Sequence, residues 1–297
     1  MSAPHPVLVV GDANVDLVLR GDVVPRFGQA EQLLDAADLV LGGSAAIVAC
    51  GLARLGVPTA LAAVVGDDGF GRFTLDALTA AGVATDRIRV DPVVPTGISV
   101  ILSGADDRAI LTLPGTIPTL RPADVALGDA RWVHVASPFL MPGFTESLPD
   151  VLAGLRAAGA GVSLDTNWDP TERWSGVSGA LEHVDVLLPN RAELEAISRV
   201  ADPLAAGVRL VVKDGAAGGW SLDPAGERHA APGLEIDVVD TTGAGDSFDA
   251  GYLAAIAHGV HDERERVRWA TVAGSLSTRA AGGTGAQATL DELRAHL

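Results

Sequence analysis

The run DTTGAGDSF at residues 240–248 limits what this chain can fold into more than any other stretch does. It follows a short apolar run at 236–239 and opens a segment, 247–258, whose apolar residues recur at helical spacing. This pattern predicts a strand, a tight glycine turn and a helix. The glycines let the backbone direct its N–H groups to one place, and the first turn of a helix adds unpaired N–H groups and a positive dipole end. The run therefore predicts an anion-binding site.

Asp246 places a carboxylate in this predicted anion site. A carboxylate would repel a bound phosphate, but it could take a proton from a hydroxyl that attacks the phosphate. Phosphoryl transfer to an alcohol needs donors for the developing charge and a base for the nucleophile. This site would place the two side by side. The structural alternative is a capped helix, with Asp246 as its N-cap and the glycines as an ordinary turn.

The nine-residue run closely resembles the second signature of the ribokinase-like (PfkB) carbohydrate kinases, which reads D-T-x-G-A-G-D. The resemblance implies that Asp246 is the catalytic base and touches the sugar. It also implies that the Gly-Ala-Gly backbone amides form the anion hole, which we expect to comprise the amides from Gly243 to Asp246.

Composition narrows the class of protein and its partners. The chain has 297 residues, 48% of them hydrophobic, and a formal net charge of −17. That charge argues against nucleic acid and anionic membranes as main partners, because both are polyanions. The single cysteine, Cys50, excludes internal disulfides and fits a reducing cytoplasm. No signal peptide and no apolar run of about 20 residues is seen, so we expect a cytoplasmic protein.

Apolar runs at 132–135, 162–164 and 184–188 alternate with helical patterns at 73–81, 147–158 and 173–181. Alternation of this kind predicts a doubly wound, mostly parallel α/β sheet with its ligands beyond the carboxyl ends of the strands. Polar residues do fall directly after the apolar runs: Asn14, Asp16, Ser137, Asp165, Asn167, Asn190, Lys213 and Asp246.

Two pairs of extended segments have no helices beside them. They are 15–19 with 33–41, and 97–102 with 109–113, the second pair flanking a hairpin signal at 103–107. They predict a small separate sheet, which the resemblance implies is a β lid over the sugar. The predicted organisation is a nucleotide- and substrate-binding core at 1–14, 42–94 and 117–297, and a lid at 15–41 and 95–116. An uncovered lid sheet invites pairing, so we expect a homodimer through the lid.

Asn14 and Asp16, in the run GDANVD after the first apolar run, could hydrogen-bond vicinal hydroxyls or could form an ordinary turn. The resemblance implies that they hold the sugar. Gly42 and Gly43 precede a helix with Ser44 as its expected N-cap, and the resemblance makes the two glycines a close wall for the sugar. The sequence departs from the family at Ile47, where relatives carry an asparagine that reaches a sugar hydroxyl.

The nucleotide residues are assigned mainly by resemblance. Asn190 and Glu193 form a capping-box pattern, and the resemblance places Asn190 near the phosphates and Glu193 on hydrated Mg²⁺. Lys213, the only lysine, could neutralise phosphate charge. The expected nucleotide-binding glycines are Gly215, Gly218 and Gly245. The carbonyls of Asp240 and Thr242, with the loop 282–286, are expected by resemblance to hold a monovalent cation such as K⁺.

These observations predict an ATP- and Mg²⁺-dependent kinase for a hydroxyl of a small sugar or sugar-like substrate. Ribose, fructose, a ketodeoxy sugar acid and a nucleoside all remain open as substrates. The alternatives are a nucleoside kinase and a sugar- or nucleotide-binding regulator that has lost catalysis. A dinucleotide oxidoreductase and a P-loop kinase are excluded because neither G-x-G-x-x-G after the first strand nor G-x-x-x-x-G-K-[ST] is present.

Overall fold

A computed structural model describes residues 3–28, 30–104 and 108–297. The strands are β1 (Val7–Val10), β2 (Asn14–Gly21), β3 (Leu34–Gly42), β4 (Thr59–Gly66), β5 (Ile88–Asp91), β6 (Gly97–Ser103), β7 (Arg108–Leu113), β8 (Trp132–Ala136), β9 (Gly161–Asp165), β10 (Val186–Leu187), β11 (Arg209–Lys213), β12 (Gly219–Leu222) and β13 (Arg228–Ala231). The helices are α1 (Ser44–Arg54), α2 (Gly69–Ala80), α3 (Pro142–Thr145), α4 (Leu148–Ala157), α5 (Val177–Leu181), α6 (Arg191–Ile197), α7 (Ala244–Ala257), α8 (Glu263–Ser277) and α9 (Leu290–Arg294).

Nine strands form the main sheet in the order β13-β12-β11-β10-β9-β8-β1-β4-β5. All neighbours from β11 to β5 are parallel, and β12 and β13 add an antiparallel edge. The predicted mostly parallel sheet is confirmed. Its strands are apolar on both faces because helices cover both: Val7 and Val9 of β1 belong to one core cluster, and Leu8 and Val10 belong to the other.

The strand order changes direction at β1, which lies between β4 and β8. Ligands of doubly wound sheets bind beyond the carboxyl ends of strands at such a point. The chain leaves β1 through Gly11, where a Cβ atom would lie 2.6 Å from the carbonyl oxygen of Ala136 at the end of β8. The two strand ends therefore approach each other too closely for a side chain there.

The second sheet has four strands in the order β3-β2-β6-β7. Pairing between β2 and β6 is parallel, and the other two pairings are antiparallel. The predicted small separate sheet is confirmed, and we call it the lid sheet; the domain boundaries stay a prediction. Residues 105–107 of the predicted hairpin turn lie outside the described residues. Asn14 pairs with both Gly42 and Gly97, so the lid sheet begins only a few residues after β1 ends.

Three local predictions are wrong. Residues 236–239 contain no strand: Val238 and Val239 are exposed, and the amides of Val239 and Asp240 donate to the carbonyl of Thr278 instead of to a neighbouring strand. The helix predicted at 173–181 begins only at Val177, because the preceding Gly176 has a left-handed backbone conformation. Ser44 is the first residue of α1 and not its N-cap.

Within the described part of the chain, no helix combines the length and the apolar character needed to cross a membrane.

Candidate active site

The predicted polar residues do meet at the carboxyl ends of the strands. Asn167, just after β9, donates through Nδ2 to Ser44 Oγ and to Ser137 Oγ, both at 3.0 Å. Ser44 Oγ donates in turn to Asp246 Oδ1 at 2.5 Å. One hydrogen-bonded network thus joins the ends of β8 and β9 to the starts of α1 and α7.

The start of α7 depends on Gly243. This residue has a φ of 70° and no side chain caps the helix. A Cβ atom on Gly243 would lie 2.6 Å from the Cα of Gly283, so a side chain is excluded by both strain and space. The Ala244 amide donates to the Thr241 carbonyl at 3.2 Å. The amides of Gly245 and Asp246 belong to the first turn of α7, where backbone amides lack an acceptor within the helix.

Asp246 carries an unusually basic carboxylate. Burial raises its pKa to about 7, with a further increase from the carboxylates of Asp165 and Asp12. The hydrogen bond from Ser44 and the charge of Lys213 act in the opposite direction. A group with this pKa exchanges protons readily near neutral pH.

Four of the five residues predicted to contact the sugar, all except Asp246, lie together where the lid sheet meets the main sheet. Asn14 Nδ2 donates to Asp16 Oδ1 at 2.9 Å. A Cβ atom on Gly42 would overlap the Asp16 carboxylate, and one on Gly43, whose φ is 93°, would lie 2.7 Å from the carbonyl of Asp12. Burial, assisted by the charge of Asp12, raises the pKa of Asp16 to about 6. Gly43 is therefore required by its backbone conformation and by the nearby backbone of Asp12, whereas Gly42 leaves the space that the Asp16 carboxylate occupies.

Asp12 stabilises α1 from outside the helix. Its two carboxylate oxygens accept from the amides of Ser44 and Ala45 at 3.1 Å each. These bonds perform the capping function that the sequence had assigned to the Ser44 side chain, and they leave the Ser44 hydroxyl available for Asp246.

A pocket of about 590 Å³ adjoins the start of α7. Among its lining residues are four of the five predicted nucleotide-binding residues: Lys213, Gly215, Gly218 and Gly245. Asn190 is not among them. Gly218 has a φ of 94° and a Cβ atom there would overlap the carbonyl of Ala231, so the turn after β11 also requires glycine.

Lys213, at the end of β11, is held by two buried carboxylates. Its Nζ lies 2.6 Å from Asp165 Oδ2 and 3.2 Å from Asp249 Oδ2. Burial disfavours its charge, but Asp165, Asp249 and Glu193 outweigh this and raise the pKa of Lys213. Burial raises the pKa of Asp249 well above its ordinary value, whereas for Asp165 the Lys213 charge and several hydrogen bonds overcome burial and lower the pKa.

Asn190 and Glu193 form the predicted capping box on α6. Asn190 Oδ1 accepts from the Glu193 amide at 2.9 Å, and Glu193 Oε2 accepts from the Asn190 amide at 2.8 Å. Burial, with a contribution from Asp165, raises the pKa of Glu193 to about 7. No group of three or more acidic, histidine or cysteine side chains in the described chain could hold a metal directly. The Glu193 side chain is only 4% exposed and is not among the residues that line the pocket.

Asp240 joins the two loops that were expected to surround a monovalent cation. Its Oδ1 accepts from the amide and the hydroxyl of Thr242, at 2.9 and 2.7 Å, and its Oδ2 accepts from the Gly282 amide at 2.9 Å. The expected proximity of residues 240–242 to the 282–286 loop is thus present.

Three residues of the site were missed or misassigned by sequence reasoning. The sequence pattern assigns Ser44 as a cap, includes Asp12 only within the run GDANVD, and does not single out Asp249. Asp249 did have a usable signal, since it follows Asp246 by three positions and so lies on the same face of α7. Ile47 is buried against Gly283, beside the start of α7.

A mostly parallel α/β sheet with a small second sheet, and a carboxylate at a glycine-preceded helix beside a pocket, together define a sugar kinase, a phosphotransferase that acts on an alcohol group. A family model described as pfkB family carbohydrate kinase matches residues 5–290, and the chain belongs to this family.

The similarity to individual members extends over nearly the whole chain. An ATP-dependent ribose-1-phosphate kinase of Halopiger xanaduensis is 30% identical, over 98% of this chain and 97% of the relative. A fructokinase of Klebsiella pneumoniae is 31% identical, over 98% of this chain and 99% of the relative. A crystal structure of a fructokinase double mutant of Vibrio cholerae O395, with fructose, ADP and potassium bound, superposes with a TM-score of 0.84, 27% identity and 100% coverage of both chains.

Proposed function

We propose that this protein phosphorylates a hydroxyl of a small sugar or sugar-like substrate with ATP, and that Asp246 is the base. The observation that carries the proposal is the position of Asp246 between two groups of residues. Through the first turn of α7 it adjoins the pocket, and through Ser44 it adjoins the Gly42–Gly43 turn and Asp16. A hydroxyl held on one side would face a phosphate held on the other.

In this mechanism Asp246 accepts the proton of the substrate hydroxyl as the oxygen attacks the γ-phosphate in line. The amides of Gly245 and Asp246 donate to the transferring group, since they lie in the first turn of α7, beside the pocket. Gly243 supplies the turn that presents these amides. Ala244 contributes through its position at the helix start, because its amide is bonded to Thr241.

Asn14 and Asp16 orient the substrate through its hydroxyls, and Gly42 and Gly43 form the wall behind it. The carboxylates of Asp12, Asp16 and Asp246 make this region rich in hydrogen-bond acceptors, which suits a polyhydroxylated molecule. The lid sheet would cover the sugar and exclude water, a competing phosphoryl acceptor.

The pocket beside α7 would hold the nucleotide. The glycines at 215 and 218 line this pocket and would allow close approach of the backbone, and Lys213, which also lines it, would offset phosphate charge from the end of β11. Glu193 would hold Mg²⁺ through the water shell of the ion, and Asn190 would lie beside the phosphates. When bound, the ion would neutralise phosphate charge. A K⁺ ion at the carbonyls of Asp240 and Thr242 is proposed by analogy with the potassium-bound fructokinase.

We propose in addition that a second copy of the chain covers the lid sheet. Its edge strand β7 exposes Ile110, Leu111 and Leu113, and β3 at the other edge exposes Leu34 and Leu39. An unpaired apolar strand edge of this kind favours association.

The test is a coupled ADP-release assay with ATP and Mg²⁺ over D-ribose, D-fructose, 2-keto-3-deoxygluconate, ribose-1-phosphate and nucleosides. We expect sugar-dependent turnover with at least one substrate. Asp246→Asn should lower kcat by about 10²- to 10⁴-fold, the usual contribution of a general base. Asp150→Asn, an exposed aspartate of α4, is the matched control and should retain full activity. Near-normal turnover by Asp246→Asn would refute Asp246 as the base.

A further inference from the structure

Ser44 is the residue that directly contacts the Asp246 carboxylate. Its hydroxyl donates to Oδ1, while its backbone amide is bound by Asp12. A serine hydroxyl has one proton, and an ionised carboxylate only accepts. The proton of Ser44 is therefore committed to Asp246 whenever Asp246 is charged.

Asn167 fixes the direction of that hydrogen bond. Because Ser44 gives its proton to Asp246, it must accept from Asn167, whose Nδ2 lies 3.0 Å from Ser44 Oγ and 3.0 Å from Ser137 Oγ. Asn167 and Ser137 both have left-handed backbone conformations, with φ of 49° and 51°. Non-glycine residues adopt this region at an energetic cost and tend to do so where function requires a particular placement.

We propose that Ser44 is a positioning residue for the proposed base, holding Oδ1 of Asp246 so that Oδ2 faces the substrate hydroxyl. The inference rests on the proposed function of Asp246. Asn167 and Ser137 complete the arrangement, since they orient the Ser44 hydroxyl from the ends of β9 and β8.

The same hydrogen bond tunes the base. A bond donated to the charged form of a carboxylate favours that form and lowers the pKa. The charged groups that shift the pKa of Asp246 are the carboxylates of Asp165 and Asp12, which raise it, and the ammonium of Lys213, which lowers it. Asp249, three positions further along α7, also interacts with Asp246, whose charge raises the pKa of Asp249. None of these changes in a Ser44 variant, so the contribution of Ser44 can be isolated.

The experiment measures the Asp246 carboxyl directly. Protein labelled with ¹³C at the aspartate carboxyl carbon is titrated from pH 4 to pH 9 by NMR, and the Asp246 signal is the one absent from Asp246→Asn. Ser44→Ala should raise the pKa of Asp246 by about one pH unit, the size expected for a lost hydrogen bond to a charged group. Ser44→Thr, which keeps a hydroxyl, should restore the wild-type pKa of Asp246. In Asn167→Ala this pKa should lie between the values of the wild type and of Ser44→Ala.

Kinetics with D-ribose and D-fructose supply the second measurement. Ser44→Ala should lower kcat about 10-fold or more, shift the acid limb of the pH profile upward, and leave KM for ATP unchanged. The control is Ser221→Ala, which changes a buried serine of β12. It should alter neither kcat nor the acid limb of the pH profile.

An unchanged pKa of Asp246 in Ser44→Ala, or a loss of activity without any shift in the pH profile, would overturn the role of Ser44. Failure of the proposed function looks different, because Asp246→Asn itself would then remain active. The titration needs no substrate, so it decides the role of Ser44 even if neither sugar is phosphorylated.

Discussion

The Nζ atom of Lys213 lies 2.6 Å from Oδ2 of Asp165, with only 12% and 1% of the two side chains exposed. This ion pair joins the ends of β11 and β9, and Asp249 extends it to α7. Breaking a buried pair leaves an uncompensated charge, which costs far more than breaking an exposed one. The only lysine of the chain is thus part of the structure that holds the site together as well as part of the pocket wall.

Lys213→Met should therefore lower the free energy of unfolding by about 3–5 kcal/mol at pH 7. The measurement is urea denaturation followed by circular dichroism. Arg199→Met is the matched control: its pair with Glu195 has side chains 71% and 73% exposed, and its loss should cost about 0.5 kcal/mol or less. The loss of unfolding free energy in Lys213→Met should be smaller at pH 5, because the unpaired carboxyls of Asp165 and Asp249 can then take up protons. Equal losses in the two variants would contradict the argument.

The sequence was sufficient to predict that Lys213 and Asp165 would converge, because parallel strands present their carboxyl ends at one edge of a sheet. Asp246 was also predicted there, although the strand expected before it is absent. The sequence could not predict which side chain would bond which. Asp12 replaced Ser44 as the cap of α1 because the chain turns back from β1 onto that helix, a contact between residues 32 or more positions apart. The strand predicted at 236–239 failed because apolar composition does not reveal whether a neighbouring strand is available.

The activity should depend on pH through Asp246. As the proposed base it must be unprotonated, and burial raises its pKa to about 7 in the protein without ligands, so log kcat/KM for the sugar should fall with a slope of one as the pH drops below about 7. Above that pH the rate should level off. The profile is measured from pH 5 to pH 9 at saturating ATP, with nucleotide affinity followed separately as a control for unfolding. An acid limb near pH 4, the ordinary range of an aspartate, would show that this carboxylate does not limit the reaction.

Gly243→Ala should impair both folding and turnover. The alanine would be strained at a φ of 70°, and its Cβ would lie 2.6 Å from the Cα of Gly283. Gly259→Ala is the matched control, since Gly259 has a φ of 77° but nothing within 4 Å of the added atom. The control should cost about 1–2 kcal/mol of stability from backbone strain alone and keep its activity. Gly243→Ala should lose more stability and about 10²-fold in kcat, the usual effect of disturbing donors to a developing negative charge. Equal behaviour of the two variants in thermal unfolding and assay would show that the contact with Gly283 is unimportant.

The lid sheet gives a prediction about assembly. On β7, Ile110, Leu111 and Leu113 are 52%, 60% and 53% exposed, and this strand forms one edge of the sheet. If a second copy covers this strand, Leu111→Glu places a charge in an apolar interface and should convert a dimer into a monomer in sedimentation velocity at micromolar concentration. Val200→Glu changes an apolar residue of similar exposure, 47%, next to α6 on the main body of the protein, and should leave the sedimentation coefficient unchanged. A wild-type chain that sediments as a monomer, or a Leu111→Glu variant that stays dimeric, would exclude pairing through β7. Loss of the dimer together with a raised KM for sugar would additionally show that the partner holds the lid sheet over the site.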